Sequence, residues 1–375
     1  MVDGATGISG HYMLQVLSQS PERWSKIYAV SRRPPSAQGI REGASAVDGV
    51  KESVDYVFFF AYRESSSEDG TLWGGQEQMV LENSQMLRDF VLAMQGSGMK
   101  RLVLQTGAKQ YGVHIGPTSL PSKETDPRVE TLPNFYHQQE DILKELGPKQ
   151  GFDWVVVRPA LIVGAVKGNF MNIAIAIGVY IAVSRELHDP IAFHGTSAKY
   201  HSFETFSSAH LNATFEEFCA LTPHCRNEAY NIANGDCATW SSVLPAVAAH
   251  FNAPIAPLDV LTSPGRHPFR KTSNLPSPRN PSERAVFELR DSLVAWSQED
   301  RVRGAWERLA EREGLDRSVF YEASWAFADG CVSFQHEVML DVGKARRAGF
   351  HGTVNTEEDF VRAMVATQEM EFFPS

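Results

Sequence analysis

The sequence predicts an α/β protein: a doubly wound parallel sheet followed by a mainly helical substrate domain. Three observations predict it. Three glycines near the start, in "GATGISG", are spaced as in a loop between a strand and a helix. Short, continuously apolar, β-rich runs recur through the first 165 residues. Helical patterns separate those runs, which is the order that puts strands in parallel. The chain has 375 residues, 43% of them hydrophobic and 21% charged, enough for a sizeable core.

The glycine loop comes first. Gly4, Gly7 and Gly10 are spaced like a cradle for the pyrophosphate of a dinucleotide. The helix after it is well marked, because "HYMLQVLSQ" places Tyr12, Met13, Val16 and Leu17 on one face. The strand before it is nearly absent: only Met1, Val2 and Asp3 precede the first glycine. "KIYAV" (26–30) reads as the next strand, and "SRRP" (31–34) follows it. An acidic residue at that point would hold the ribose hydroxyls of NAD. Ser31, Arg32 and Arg33 stand there instead, and guanidinium groups suit the extra phosphate of NADP. If a dinucleotide binds, the pair predicts NADP(H); a solvated basic turn is the other reading of these arginines. The segment 34–53 carries no convincing apolar run, so a third strand is expected to be shortened or missing.

"VDYVFFFAY" (54–62), "KRLVLQTG" (100–107) and "DWVVVRPALIVG" (153–164) read as buried strands. Between the first two, Met79, Met86, Leu87, Phe90 and Met94 recur at helical spacing, and Gly96 and Gly98 offer a stop. These elements set a dinucleotide-binding region at 1–165 and a mainly helical substrate region at 166–375. In the latter, "FMNIAIAIGVYIAV" (170–183) contains Asn172 and Gly178 and is too short to span a bilayer, so it reads as a buried helix. The Pro-, Ser- and Arg-rich stretch 262–284 reads as a mobile surface loop.

Composition narrows the function. A net charge of −10 argues against a nucleic-acid partner. No apolar segment suggests a leader peptide or a membrane anchor. The four cysteines form no C-x-x-C pair, so buried free thiols are expected, with no metal and a reducing, cytoplasmic setting.

The chemistry-bearing candidates sit at strand ends and helix starts. Thr106, Lys109 and Tyr111 lie on or just beyond the C-terminal end of a buried strand, the end that faces the ligand crevice in such sheets. Tyr136 falls in the first turn of a helix beginning near Asn134. A phenol acting as an acid near neutrality needs a nearby cation. The common dehydrogenase solution is a lysine four residues later, but that position is Glu140. A structural tyrosine and an exposed loop lysine remain open on this local pattern.

The ordered segments "GATGISG", "SRRP", "VFFFAY", "LVLQTGAKQYG", "NFYHQQEDIL", "VVRPALIVG" and "NEAYNIANGD" resemble the motif set of the progesterone 5β-reductase and iridoid synthase family. That family is a divergent branch of the extended short-chain dehydrogenases. The similarity continues through "GAWERLAEREGL" and "KARRAGFHGTVNTEEDFV", so it covers nearly the whole chain. The resemblance implies a Rossmann core, NADPH, and reduction of an activated C=C bond by conjugate hydride addition to a hydrophobic enone or enal. It supplies the missing lysine as Lys109 and the tyrosine as Tyr136. It also implies a cofactor set of Gly4, Thr6, Gly7, Ile8, Gly10, Ser31, Arg32, Arg33, Thr106, Arg158, Pro159 and Ile162. The substrate pocket is expected to draw on Tyr111, Phe170, Met171, Tyr200 and Trp325. The partner is expected to be a hydrophobic small molecule, with a homodimer left open. The short first strand leaves two readings: a misassigned start or splice site, or a divergence that weakens NADPH binding and turns the scaffold to cyclase, isomerase or aldol-type chemistry.

Overall fold

The computed structural model describes residues 1–31, 50–64, 76–169, 171–257, 259–260 and 263–374. Arg32, Arg33 and Phe170, and residues 34–49 of the stretch in which a third strand was sought, lie outside them. The central sheet has six strands: β1 (Val2–Asp3), β2 (Ala29–Val30), β3 (Tyr56–Phe59), β4 (Arg101–Gln105), β5 (Asp153–Pro159) and β6 (Glu228–Ile232), in the order β2-β1-β3-β4-β5-β6. Every pairing in it is parallel. The four runs expected to lie parallel in one sheet do so.

Although β1 has only two residues, it is bonded on both edges. Val2 donates to Tyr28 O at 2.7 Å, and Phe60 donates to Asp3 O at 2.8 Å. A strand this short holds its place between β2 and β3 because it is hydrogen-bonded to both.

The period-two alternation of the strands assigns each side chain to a layer. Phe58, Val103, Val155 and Val157 face the layer of α1 (Ile8–Ser18) and α5 (Ala209–Leu221). Val57, Phe59, Leu102, Leu104 and Val156 face α2 (Gln76–Ala93) and α3 (Phe135–Gln150). Burial on both faces is why these strands read as unbroken apolar runs.

The sheet is not confined to the first 165 residues, since β6 comes from the second half of the chain. The remainder packs around α4 (Ile173–Glu186), whose residues from Ile173 to Ser184 are all buried. Among the described residues no helix is long and apolar enough to cross a membrane. Within the stretch read as a mobile loop, Phe269–Pro276 forms a strand paired antiparallel with Arg284–Leu289, so much of that stretch is regular structure. Its Pro and Ser residues gather near the hairpin's turn and strand ends, where they need no ladder donor.

Candidate active site

A cavity of about 780 Å3 opens at the C-terminal ends of β1, β3, β4 and β5. This is where a parallel sheet with helices on both faces leaves room for a ligand. One end is the glycine loop. Gly4 turns with φ +83°, and a Cβ there would meet the Phe60 carbonyl carbon at 2.8 Å. Gly10 lets α1 close onto that loop, since its Cβ would lie 2.3 Å from Gly4 O. Gly4, Thr6, Gly7, Ile8 and Ser31 line the cavity, whereas Gly10 is buried behind it and does not.

The helix start is suited to an anion. Its N-cap is Gly7, which has no side chain to satisfy the first-turn amides. Ile8 N reaches only Asn169 Oδ1, at 3.4 Å. Asn169 also lines the cavity, and its buried Nδ2 has no partner among the described residues. A cradle that a Cβ would fill, together with an orphaned amide donor, fits a dinucleotide pyrophosphate. Asp3, beside the loop, is held up at about 6 by burial, partly opposed by a hydrogen bond from the Gly4 amide.

The other end carries Lys109 and Tyr136. They are 27 positions apart and line the same cavity, together with Thr106, Pro159, Ile162 and Met171. Asn134 links their segments. It caps α3 by accepting from Tyr136 N at 3.0 Å, and its Nδ2 donates to Lys109 O at 3.0 Å. A Cβ on Gly107 would lie 3.6 Å from the Tyr136 hydroxyl, an ordinary contact, so the strand-end loop runs directly alongside that oxygen. Burial holds the Tyr136 phenol above its ordinary range, and the charge of Glu64 adds to this. Burial pushes the Lys109 ammonium down to about 7, opposed by Glu64 and Cys331. Burial, with the Lys109 charge, lowers the neighbouring His114 to about 3, so its ring is neutral.

Four expected site residues lie elsewhere. Arg158 is buried away from the cavity, bonded to Glu140 at 2.9 Å and to the Tyr111 hydroxyl at 3.2 Å. Strand alternation explains it: Pro159 faces the crevice, so Arg158 cannot. Tyr111 donates to Asn231 Oδ1 at 2.5 Å and closes that polar cluster rather than a substrate pocket. Tyr200 and Trp325 belong to the helical core, where Tyr200 packs on Phe193 and Trp325 on Trp296. The helix Trp325–Ser333 instead turns Phe327 and Cys331, one turn apart, toward the cavity.

The sequence reading missed much of the wall. Phe60–Glu64 leaves β3 at its crevice end, and the strand-end rule that singled out Thr106 applies equally there. Glu204, Thr205, Phe334 and Val338 come from distant segments with no local signal. Among the described residues no His, Cys, Asp and Glu group could hold a metal, and all four cysteines are free.

The profile of PRISE-like Rossmann-fold domains matches residues 37–257. An uncharacterized protein of Schizosaccharomyces pombe is 32% identical, over 96% of this chain and 94% of its own. An (S)-8-oxocitronellyl enol synthase of Camptotheca acuminata is 28% identical, over 96% and 89%. The 3-oxo-Delta(4,5)-steroid 5-beta-reductase of Arabidopsis thaliana is 27% identical, again over 96% and 89%. Among solved structures, the epimerase Mth375 of Methanothermobacter thermautotrophicus matches with a TM-score of 0.62 and 14% identity, over 98% of this chain and 91% of that one. The chain thus belongs to the PRISE-like family of Rossmann-fold proteins, the divergent short-chain dehydrogenase/reductase enzymes that include progesterone 5β-reductase and iridoid synthase.

Proposed function

We propose that this protein is an NADPH-dependent reductase of an activated C=C bond in a hydrophobic enone or enal. The observation that carries the reading is the shared cavity of Lys109, Tyr136 and the glycine loop, between elements with no local reason to meet. A relative named as a steroid 5-beta-reductase supports the substrate class.

Gly4, Thr6, Gly7, Ile8, Asn169 and Ser31 would hold the dinucleotide, with Arg32 and Arg33 taking the additional phosphate of NADP(H). The bound cofactor supplies a hydride. Tyr136 then donates a hydrogen bond to the substrate carbonyl oxygen, which gains charge as the β-carbon is reduced. Lys109 adds positive potential at the same oxygen. Met171, Leu161, Phe327, Phe334 and Val338 form the apolar wall that excludes water and accepts the carbon skeleton.

The test is NADPH oxidation by the purified protein with a small cyclic enone, alongside NADPH and NADH titrations at fixed salt. Turnover with NADPH, and a preference for NADPH that Arg32→Ala with Arg33→Ala abolishes, is the expected result. NADPH binding without reduction of any enone would overturn the reductase reading.

A further inference from the structure

The cavity that Lys109 lines also carries a carboxylate that the motifs do not account for. Glu64 follows β3 in a segment held from two sides. Asn83, fully buried on α2, accepts from Arg63 N at 2.8 Å and donates to Arg63 O at 2.8 Å. A further bond from Asn83 to Met79 O at 2.9 Å fixes that amide. On the other side, the Tyr62 ring packs against Phe135 at 5.6 Å, in the apolar cluster that contains Tyr136. The Tyr62 hydroxyl donates to the Glu64 carboxylate. Glu64 therefore enters the cavity on a clamped loop, and it lines the same space as Lys109 and Tyr136.

We propose that Glu64 is a positioning residue of this site: its carboxylate opposes the loss of charge that burial imposes on the Lys109 ammonium and joins burial in keeping the Tyr136 phenol protonated, so that the site gives a hydrogen bond rather than removing a proton. The physical reason is elementary electrostatics. A carboxylate stabilises a cation near it and penalises a second anion. Glu64 is the foremost charge acting on Lys109 and the charge acting on Tyr136. The other titratable groups facing them are Cys331 and His114 around Lys109, and Tyr62 beside Tyr136. Lys199 bears on the site through Cys331.

This deepens the reductase reading and rests on it for the substrate class. A phenolate base suits oxidation of an alcohol, whereas a phenol held neutral beside a fixed negative charge suits a carbonyl oxygen that gains charge.

The experiment is acetylation of the full chain with acetic anhydride between pH 5 and 9, with the Lys109 peptide quantified by mass spectrometry. The native rate should rise with a midpoint near 7. Glu64→Gln should lower that midpoint by about one pH unit, and Glu64→Ala should lower it likewise. Glu64→Asp should stay near the native curve. An unmoved or raised midpoint in either neutral variant that melts like the native protein overturns the proposal. Labelling needs no turnover, so the expected shift in a protein that reduces no enone sinks the reductase reading and leaves Glu64 in place.

Discussion

Asn134 donates from its side-chain amide to the backbone carbonyl of Lys109 at 3.0 Å, while its oxygen caps the helix that begins with Phe135 and Tyr136. One side chain thus sets the distance between the strand-end loop that carries the cation and the helix turn that carries the phenol. Asn134→Ala should cost about 1 kcal/mol of stability through the lost cap. Turnover should fall by about tenfold or more, because a small displacement between two acting groups is expensive. Thermal melts and kcat, measured on the same preparation, check both; an unchanged kcat would show that the link does not position the pair.

Tyr136→Phe should lower kcat for a small enone by about 10²–10³, the usual result of removing one donor to a developing oxyanion. The NADPH dissociation constant should hardly change, because the hydroxyl lies near Gly107 and not at the glycine loop. Steady-state kinetics with fluorescence titration separates the two effects.

The Lys109 ammonium titrates near 7, so its charge is present below that pH and is lost above it. Reduction should therefore weaken as pH rises through about 7. In Lys109→Arg the charge persists, and the alkaline decline should disappear even if the rate is lower. A pH profile of kcat for both proteins decides it.

Asp3 lines the glycine-loop end of the cavity with its pKa held up at about 6. Below that value the side chain is neutral; above it, a carboxylate faces the phosphates of any bound dinucleotide. NADPH affinity should fall as pH rises through 6, and Asp3→Asn should remove the dependence and tighten binding at pH 8. Titrations at several pH values read this directly.

Glu140 pairs with Arg158 at 2.9 Å, and both are buried. Burial raises the Glu140 carboxyl, but Lys144, Arg158 and Arg128 outweigh it and hold the group below its ordinary value. A depressed carboxylate contributes stability above its unfolded pKa and loses it as pH falls through the folded one. Arg158→Met should destabilise the fold by about 1–3 kcal/mol near neutrality, since Glu140 loses its buried partner but keeps Lys144 at 2.6 Å. The difference from native should shrink in acid, which chemical denaturation at two pH values measures.

Local patterns determined β2, β3, β4 and β5 but not the strand Glu228–Ile232. The runs around Tyr56–Phe59, Arg101–Gln105 and Asp153–Pro159 were legible because strands buried on both faces must be apolar throughout. The glycine spacing marked the turn, because close approach of the Gly4–Gly10 backbone admits no Cβ. The strand-end position of Lys109 and the cap before Tyr136 were also local. Tertiary structure decided the rest. Whether Arg158 faced the crevice depended on the register of β5, and a one-residue change of face sent it to Glu140 instead. Whether Trp325 or Cys331 reached the cavity depended on how that helix rotates against the helical core. Glu64, Asn169 and Glu204 come from three separated segments, and only the packed fold places their polar groups around one space. Periodicity records which face of an element is buried; it carries no information about which distant polar group that burial brings near.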